Sequence, residues 1–361
     1  MFDERTSVGL DVHARSVVAE AVDWQTGQVF SQRLVPASED VVAWVRRLPG
    51  STAVTYEAGP TGFGLARAFE TAGIRCVVVA PSKLERPGGD RVKTDRRDAR
   101  RLARLLHIGE LPSVRVPSLA EEHARDLVRA REDTRGDLMR ARHRVSKLLL
   151  RQGIIYSGGT AWTAVHHQWL AGQRFDSSGL RIAYAEALDA VASCEDRRAR
   201  LDAAIEQISH QPPWASTVAR LECVRGIATL TAFGLAVEIG DWHRFTGATI
   251  GAYLGLVPSE SSSGSSRSQG PITKAGNGHA RRLLVEAAWH HRRPVSGPSR
   301  TLRARRSAVP PAIRARARAA DARLHRRWLA LEARKKRPTV VAIAVARELA
   351  GWCWSLAVMD G

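Results

Sequence analysis

Apolar positions near the amino terminus come in short runs that end in acids. Ser7-Val8-Gly9-Leu10-Asp11 is one such run, and Ser16-Val17-Val18-Ala19-Glu20-Ala21-Val22-Asp23 resumes after Val12-His13-Ala14-Arg15, which predicts a β-hairpin with Asp11 on its first strand. Ala53-Val54-Thr55-Tyr56-Glu57 is a further strand ending in an acid. It leads through the turn Ala58-Gly59-Pro60-Thr61-Gly62 to a helix carrying Leu65, Ala68 and Phe69, and then to a buried strand, Arg75 to Ala80. From residue 95 the period becomes helical. Asp95, Asp98, Ala99, Leu102, Leu105 and Leu106 share one face, opposite Arg96, Arg97, Arg100, Arg101 and Arg104.

Read in order, the first part has three strands, a helix, a strand, a helix, a strand and an acid-bearing helix, the order of the ribonuclease H-like fold. Acids on the apolar face of the last helix need an explanation. A carboxylate turned inward costs several kcal/mol unless it is paired or binds a cation. Two carboxylates about 4 Å apart repel by roughly 4 kcal/mol at an effective dielectric near 20. A divalent cation turns that repulsion into attraction. The plainer alternative makes Asp95 and Asp98 cap and dipole partners at a helix N-terminus. Asp11, Glu57, Asp95 and Asp98 together, each at the right element, favour the metal.

The middle of the chain is helical. Leu127, Thr134, Leu138, Ala141, Val145 and Leu148 recur at steps suited to one helix face, as do Leu180, Tyr184, Ala187, Val191, Leu201, Ile205 and Ile208. Two helices joined through Gly153 to Gly179 would form an antiparallel, coiled-coil-like hairpin, packed either within the chain or against another copy. A third part opens near Pro213, where Leu221 to Ala228 followed by a helix from Thr231 reads like a helix-hairpin-helix element able to offer backbone N–H groups to phosphate. Seven serines between Ser259 and Ser268 read, by composition alone, as a flexible linker.

Charge changes the picture at the carboxyl end. The net charge is +19, and residues 292–337 hold sixteen Arg or Lys against Asp321 and Glu332, so this stretch carries most of the excess. Such a surface favours polyanions and makes salt-sensitive, largely sequence-blind phosphate contacts. The segment Val340 to Trp354 is apolar but broken by Arg347 and Glu348, and reads as a packing helix rather than a bilayer span. The amino terminus begins with Asp3, Glu4 and Arg5, without the apolar core of a signal peptide. Cys76, Cys194, Cys223 and Cys353 are scattered, which suggests neither a zinc site nor a disulfide framework and suits a reducing cytoplasm.

Gly9-Leu10-Asp11-Val12-His13, Tyr56-Glu57-Ala58-Gly59-Pro60-Thr61-Gly62 and Lys93-Thr94-Asp95-Arg96-Arg97-Asp98-Ala99 resemble the RuvC-like half of the DEDD transposases of bacterial insertion sequences, the insertion-sequence-110 family. Tyr253-Leu254-Gly255-Leu256-Val257-Pro258 and Ile272-Thr273-Lys274-Ala275-Gly276-Asn277 resemble that family's C-terminal transposase domain. The resemblance spans roughly residues 5 to 290. It implies an α/β RuvC-like DEDD catalytic domain over 1–115, a helical coiled-coil hairpin over 116–212 and a mainly α transposase domain with the serine loop over 213–300, leaving a basic helical tail over 301–361. It further implies Mg²⁺, or Mn²⁺, on Asp11, Glu57, Asp95 and Asp98, and a nucleophilic serine in a Ser-Gly step. That serine is Ser263, with Ser262 in reserve because the triple serine leaves the register open.

The reaction it implies is transesterification of DNA through a phosphoserine, guided by a bridge RNA that pairs with donor and target DNA. The expected enzyme is a dimer or tetramer in which the acids of one chain serve the serine of another, working in the bacterial cytoplasm at the nucleoid. Nucleic-acid contacts are expected from Lys274, Asn277, Arg281, Arg282, Arg303, Arg305, Arg306, Arg316 and Arg318. Two other classes remain. A RuvC-like endonuclease would use the same acids and water, and a non-catalytic binder would use the acids structurally.

Overall fold

The computed structural model describes residues 4–84, 94–263, 266–294 and 297–359. Lys93 of the third acidic motif, together with Gly264 and Ser265 of the serine cluster, lies outside the described residues. By contacts the chain divides into two units, Met1–Ser118 and Leu119–Gly361.

The first unit follows the element order read from the sequence: β1 (Thr6–Val12), β2 (Val17–Asp23), β3 (Val29–Leu34), α1 (Ser38–Val45), β4 (Thr52–Glu57), α2 (Gly64–Thr71), β5 (Arg75–Val79) and α3 (Asp95–Ile108). The sheet order is β3-β2-β1-β4-β5, antiparallel through β3-β2-β1 and parallel through β1-β4-β5. Strict alternation sorts the side chains. Val8, Leu10, Val17, Ala19, Ala21, Val54 and Tyr56 face one way, packed under Val41, Trp44 and Val45 of α1 and Phe69 of α2. Gly9, Asp11 and Glu20 face the other way, where α3 lies across β1, β2 and β4. Thr94 caps α3 by accepting a hydrogen bond from the Arg97 N–H, and Gly109 closes it in the left-handed conformation. Its buried stripe is Ala99, Leu102, Ala103 and Leu106.

The second unit is helical, with one hairpin of strands. Its elements are α4 (Leu119–Arg151), α5 (Ala164–Ala171), α6 (Ser178–Ser209), α7 (Ala215–Leu221), α8 (Thr229–Ile239), α9 (Ile250–Tyr253), β6 (Pro258–Ser263), β7 (Ser266–Ile272), α10 (Gly278–Ala288), α11 (Arg300–Ser307), α12 (Pro311–Ala333) and α13 (Pro338–Ala357). α4 and α6 run antiparallel, as the ion pairs Arg131–Asp202 at 2.7 Å and Arg142–Glu195 at 2.6 Å require. Leu138, Ala141, Val145 and Leu148 are buried there with Leu170, Tyr184 and Val191, so this stripe finds its partner within the chain.

At its other end the helical pair joins a larger core. Ala124, Val128 and Ile205 pack with Phe233, Leu235, Leu284, Trp328 and Val345. α13 is long and apolar enough to cross a membrane by length and composition, yet Val341, Ala342, Val345, Ala346 and Leu349 are buried in that core. It is the packing helix that the sequence suggests.

Candidate functional site

Asp11 sits near the end of β1, one residue past Leu10, which pairs with Tyr56 of the parallel β4. Glu57, one residue past Tyr56, therefore leaves the neighbouring strand on the same face. Asp95 and Asp98 occupy the first turn of α3 above that face. What permits this approach is Gly9, two residues before Asp11. A Cβ there would lie 1.8 Å from the Ala99 carbonyl oxygen and 2.8 Å from the Ala103 nitrogen, so helix and strand meet backbone to backbone. Glu20, opposite Gly9 on β2 and fully buried, receives hydrogen bonds from Arg100 Nε at 3.1 Å and Nη2 at 2.9 Å, and these fix the helix on the sheet.

Ligand atoms of Asp11, His13 and Asp95 lie within 4.8 Å of one another. His13 Nε2 is 3.2 Å from Asp11 Oδ1, and Arg33 stands 3.9 Å from Asp95 Oδ2. Burial pushes the Asp11 carboxyl above its ordinary range, and the negative charges of Asp95 and Asp98 push it further, while His13 opposes the rise. At 4.8 Å two carboxylates repel by roughly 3 kcal/mol at an effective dielectric near 20, less where water reaches them. These residues fit a hard divalent cation: two convergent carboxylates, an imidazole and a third acid close enough to be felt.

The inward turn expected of Asp95 is only partial, for its side chain is 47% exposed. The buried stripe of α3 begins at Ala99, and the first turn overhangs the end of the sheet. Glu57 is exposed. His13 went unassigned in the sequence reading. The signal was its position two residues after Asp11, which in extended chain returns to the same side.

The serine cluster is not a linker. Its residues form the antiparallel pair β6–β7, with Ser263 opposite Ser266 and Ser262 opposite Arg267 at the exposed tip. The two glycine-bearing strings recognised in the sequence form its base. The Thr273 N–H donates to the Val257 carbonyl at 2.9 Å, and Arg281 Nη1 spans the Leu254 and Ala275 carbonyls at 2.9 Å each. Gly255 and Gly276 both have positive φ, and a Cβ on Gly276 would fall 1.9 Å from the Tyr253 carbonyl oxygen. At the tip, the Ser262 hydroxyl donates to Glu260 Oε1 at 3.0 Å.

Two family models match the chain, one described as Transposase (DEDD, IS110) over residues 8–153 and one as Transposase IS116/IS110/IS902 family over residues 218–301. "Putative transposase y4qE" of Sinorhizobium fredii is 41% identical across 97% of this chain and 88% of its own length. The chain belongs to the IS110 family of DEDD transposases. "Transposase for insertion sequence element IS1533" of Leptospira borgpetersenii is 30% identical over 91% of this chain and 97% of its own length. The acidic cluster and the family both suggest a divalent metal, and the mixed α/β first unit suits a nuclease-like domain.

In this transposase several residues expected to touch nucleic acid have partners within the fold. Arg306 is buried and donates to Asp321 Oδ2 and the Cys223 carbonyl, Arg305 lies 3.6 Å from Glu222, and Arg282 is shared between Glu132 and Glu286. Asn277 caps α10 by accepting from the Ala280 N–H. Arg281 holds the hairpin base, as above. Charge counting could not reveal the partners Asp321, Glu222 and Glu132, which lie well away in sequence from the arginines they meet. Lys274, Arg303, Arg316 and Arg318 are exposed.

Glu238 was missed altogether. It stands 1% exposed in the apolar helix α8, receiving Asn277 Nδ2 at 2.6 Å, with His279 Nδ1 at 3.1 Å and Arg129 at 3.4 Å. A lone acid in Leu235-Ala236-Val237-Glu238-Ile239 was the available signal. Burial alone would raise its pKa, but hydrogen bonds from His279 and Asn277 and the charge of Arg129 outweigh that and bring it from 4.5 to about 2.

The folded pKa is thus below the unfolded one. Its contribution is complete above pH 4.5 and is lost as pH falls toward 2. Thermal melts of the wild type are expected to drop steeply across that window. Glu238→Gln should flatten the acid limb and cost about 2–4 kcal/mol at neutral pH by leaving buried donors unmatched. A melt of the variant with the wild-type acid slope would contradict this role.

Proposed function

We propose that this transposase cuts and rejoins DNA through Ser263, with a divalent cation held by Asp11, Asp95, Asp98 and Glu57. Mg²⁺ is the expected ion, with Mn²⁺ as a substitute. What carries the reading is the convergence of Asp11, His13 and Asp95 with the charge of Asp98 beside them, on a helix seated where Gly9 leaves room. The bound cation would neutralise this cluster and polarise the scissile phosphate. Ser263 Oγ attacks phosphorus, the P–O3′ bond breaks and the serine proton passes to the departing 3′ oxygen. A 3′ hydroxyl of the partner strand then attacks the phosphoserine, the P–Oγ bond breaks and the serine is restored. One phosphodiester is made for each one broken, so no nucleotide hydrolysis is needed.

Target choice is proposed to come from an RNA pairing with donor and target DNA, carried on the basic face of the carboxyl-terminal helices. The working form is proposed to be a homo-oligomer, dimer or tetramer, in which the acids of one protomer act on the serine of another, the α4–α6 pair serving as a coiled coil.

The test incubates the protein with Mg²⁺, candidate RNA and end-labelled DNA and looks for an adduct that survives denaturation. Ser263→Ala is expected to abolish the adduct, and Ser262→Ala, which breaks the contact with Glu260, to leave it. Peptide mapping to Ser262 would move the nucleophile by one residue. Strand cleavage that persists in Ser263→Ala without any adduct would establish the hydrolytic, RuvC-like alternative.

A further inference from the structure

Between α12 and α13, against the turn before α9, lies an open cavity of about 430 Å³. Its walls carry Arg316 and Arg327 from α12 and Arg347, Trp352 and Trp354 from α13, and Gly247 and Gly251 form part of its floor. Among the described residues Glu348 is the only acid in its lining. That acid is already engaged, with Arg323 Nε at 2.6 Å and Arg327 Nε at 3.8 Å. Arg316 and Arg347 have no carboxylate partner among the described residues. Arg316 is nonetheless held in place, its guanidinium 4.4 Å from the Trp352 ring centroid and its Nε donating to Ser355 Oγ at 2.8 Å.

Flat indole and guanidinium surfaces favour a planar ring, and unpaired cations favour a phosphate.

We propose that this cavity binds one unpaired nucleotide of a single-stranded nucleic acid, its base held against the Trp/Arg wall and its phosphate by Arg316 and Arg347. A base inside a duplex has both faces covered and cannot enter, so the site selects unpaired strand from paired. The inference rests on the proposed nucleic-acid role of the chain and adds to it a site whose lining includes neither the acids nor the serine.

Binding by the full-length protein is measured by fluorescence anisotropy with a short labelled RNA, the DNA strand of the same sequence and the matching DNA duplex. Ala248→Trp, at an exposed lining residue, fills the cavity without removing a charge. It is expected to weaken single-strand binding about ten-fold and to change duplex binding by less than about two-fold. Arg347→Ala is expected to weaken single strands and to reduce the salt slope by about one phosphate contact. Loss on both the RNA and the DNA arm supports the proposal, and the arm with the tighter wild-type binding identifies the source of the strand.

Unchanged single-strand binding in Ala248→Trp with an unchanged melting temperature overturns the proposal, as does equal loss for single strand and duplex. Should Ala248→Trp fail to fold, unchanged single-strand binding in Arg347→Ala is the overturning result. Adduct formation at Ser263 is scored separately in wild-type protein, so failure here leaves the catalytic reading standing.

Discussion

Asp11→Asn is expected to lower strand cleavage by roughly a thousand-fold while making the metal-free protein more stable. The two effects have one cause. Asp11 is held among groups that disfavour its charge: burial raises its pKa, the charges of Asp95 and Asp98 raise it further, and His13 compensates only in part. A carboxylate whose folded pKa exceeds its unfolded value of 3.8 destabilises the fold progressively as pH rises from that value through the folded one. Asparagine keeps the shape and loses the penalty.

Without metal the melting temperature of the variant should therefore rise by a few degrees at neutral pH, with no difference from wild type below the unfolded pKa. With Mn²⁺, wild type should gain stability and the variant should gain much less, a difference that paramagnetic titration of free Mn²⁺ reads directly. A lower melting temperature for the variant without metal, together with intact Mn²⁺ binding, would make Asp11 a structural acid.

The part of this site that could be read from the chain is the part that local rules govern. Short apolar runs that end in acids are local signals, and these placed Asp11 on the first strand and Glu57 at the end of another, strands that pair side by side in the sheet. The helix α3 was also evident, because Asp95, Asp98, Ala99, Leu102 and Leu106 recur on one face within a few turns, although the cap proved to be Thr94. What escaped were features whose partner lies far along the chain. The Ser259 to Ser268 stretch has the composition of a linker, and it becomes a hairpin only because Gly255 and Gly276 allow residues 253–257 and 273–277 to close its base. Glu20, Glu238 and Asp321 each looked like a stray acid, yet each is buried against an arginine brought from 80, 109 or 15 residues away. The same pairing buries Arg306, which net charge alone places on a phosphate-binding surface.

Gly9→Ala is expected to remove activity as thoroughly as loss of a catalytic acid, although the glycine bears no chemistry. In an ordinary strand this change would be neutral or slightly favourable, since alanine has less backbone freedom to lose. Here the added methyl would sit 1.8 Å from the Ala99 carbonyl oxygen and 2.8 Å from the Ala103 nitrogen, and neither is a side chain that can rotate away. The helix must lift or the strand must bend. Because a close-packed interior resists both, a cost of about 3 kcal/mol or more is expected, at or above the upper end for overpacking by a single methyl. Lifting α3 would carry Asp95 and Asp98 away from Asp11 and strain the Glu20–Arg100 pair. Mn²⁺ affinity should fall with the melting temperature, and amide exchange along Ala99 to Leu106 should quicken. Gly27→Ala is the matched control. Gly27 has φ +74° and nothing within 4 Å of an added Cβ, so the change adds backbone strain of about 1 kcal/mol without touching α3. If Gly9→Ala lost no more stability than Gly27→Ala and still bound Mn²⁺ like wild type, the backbone contact between β1 and α3 would not be what assembles the acids.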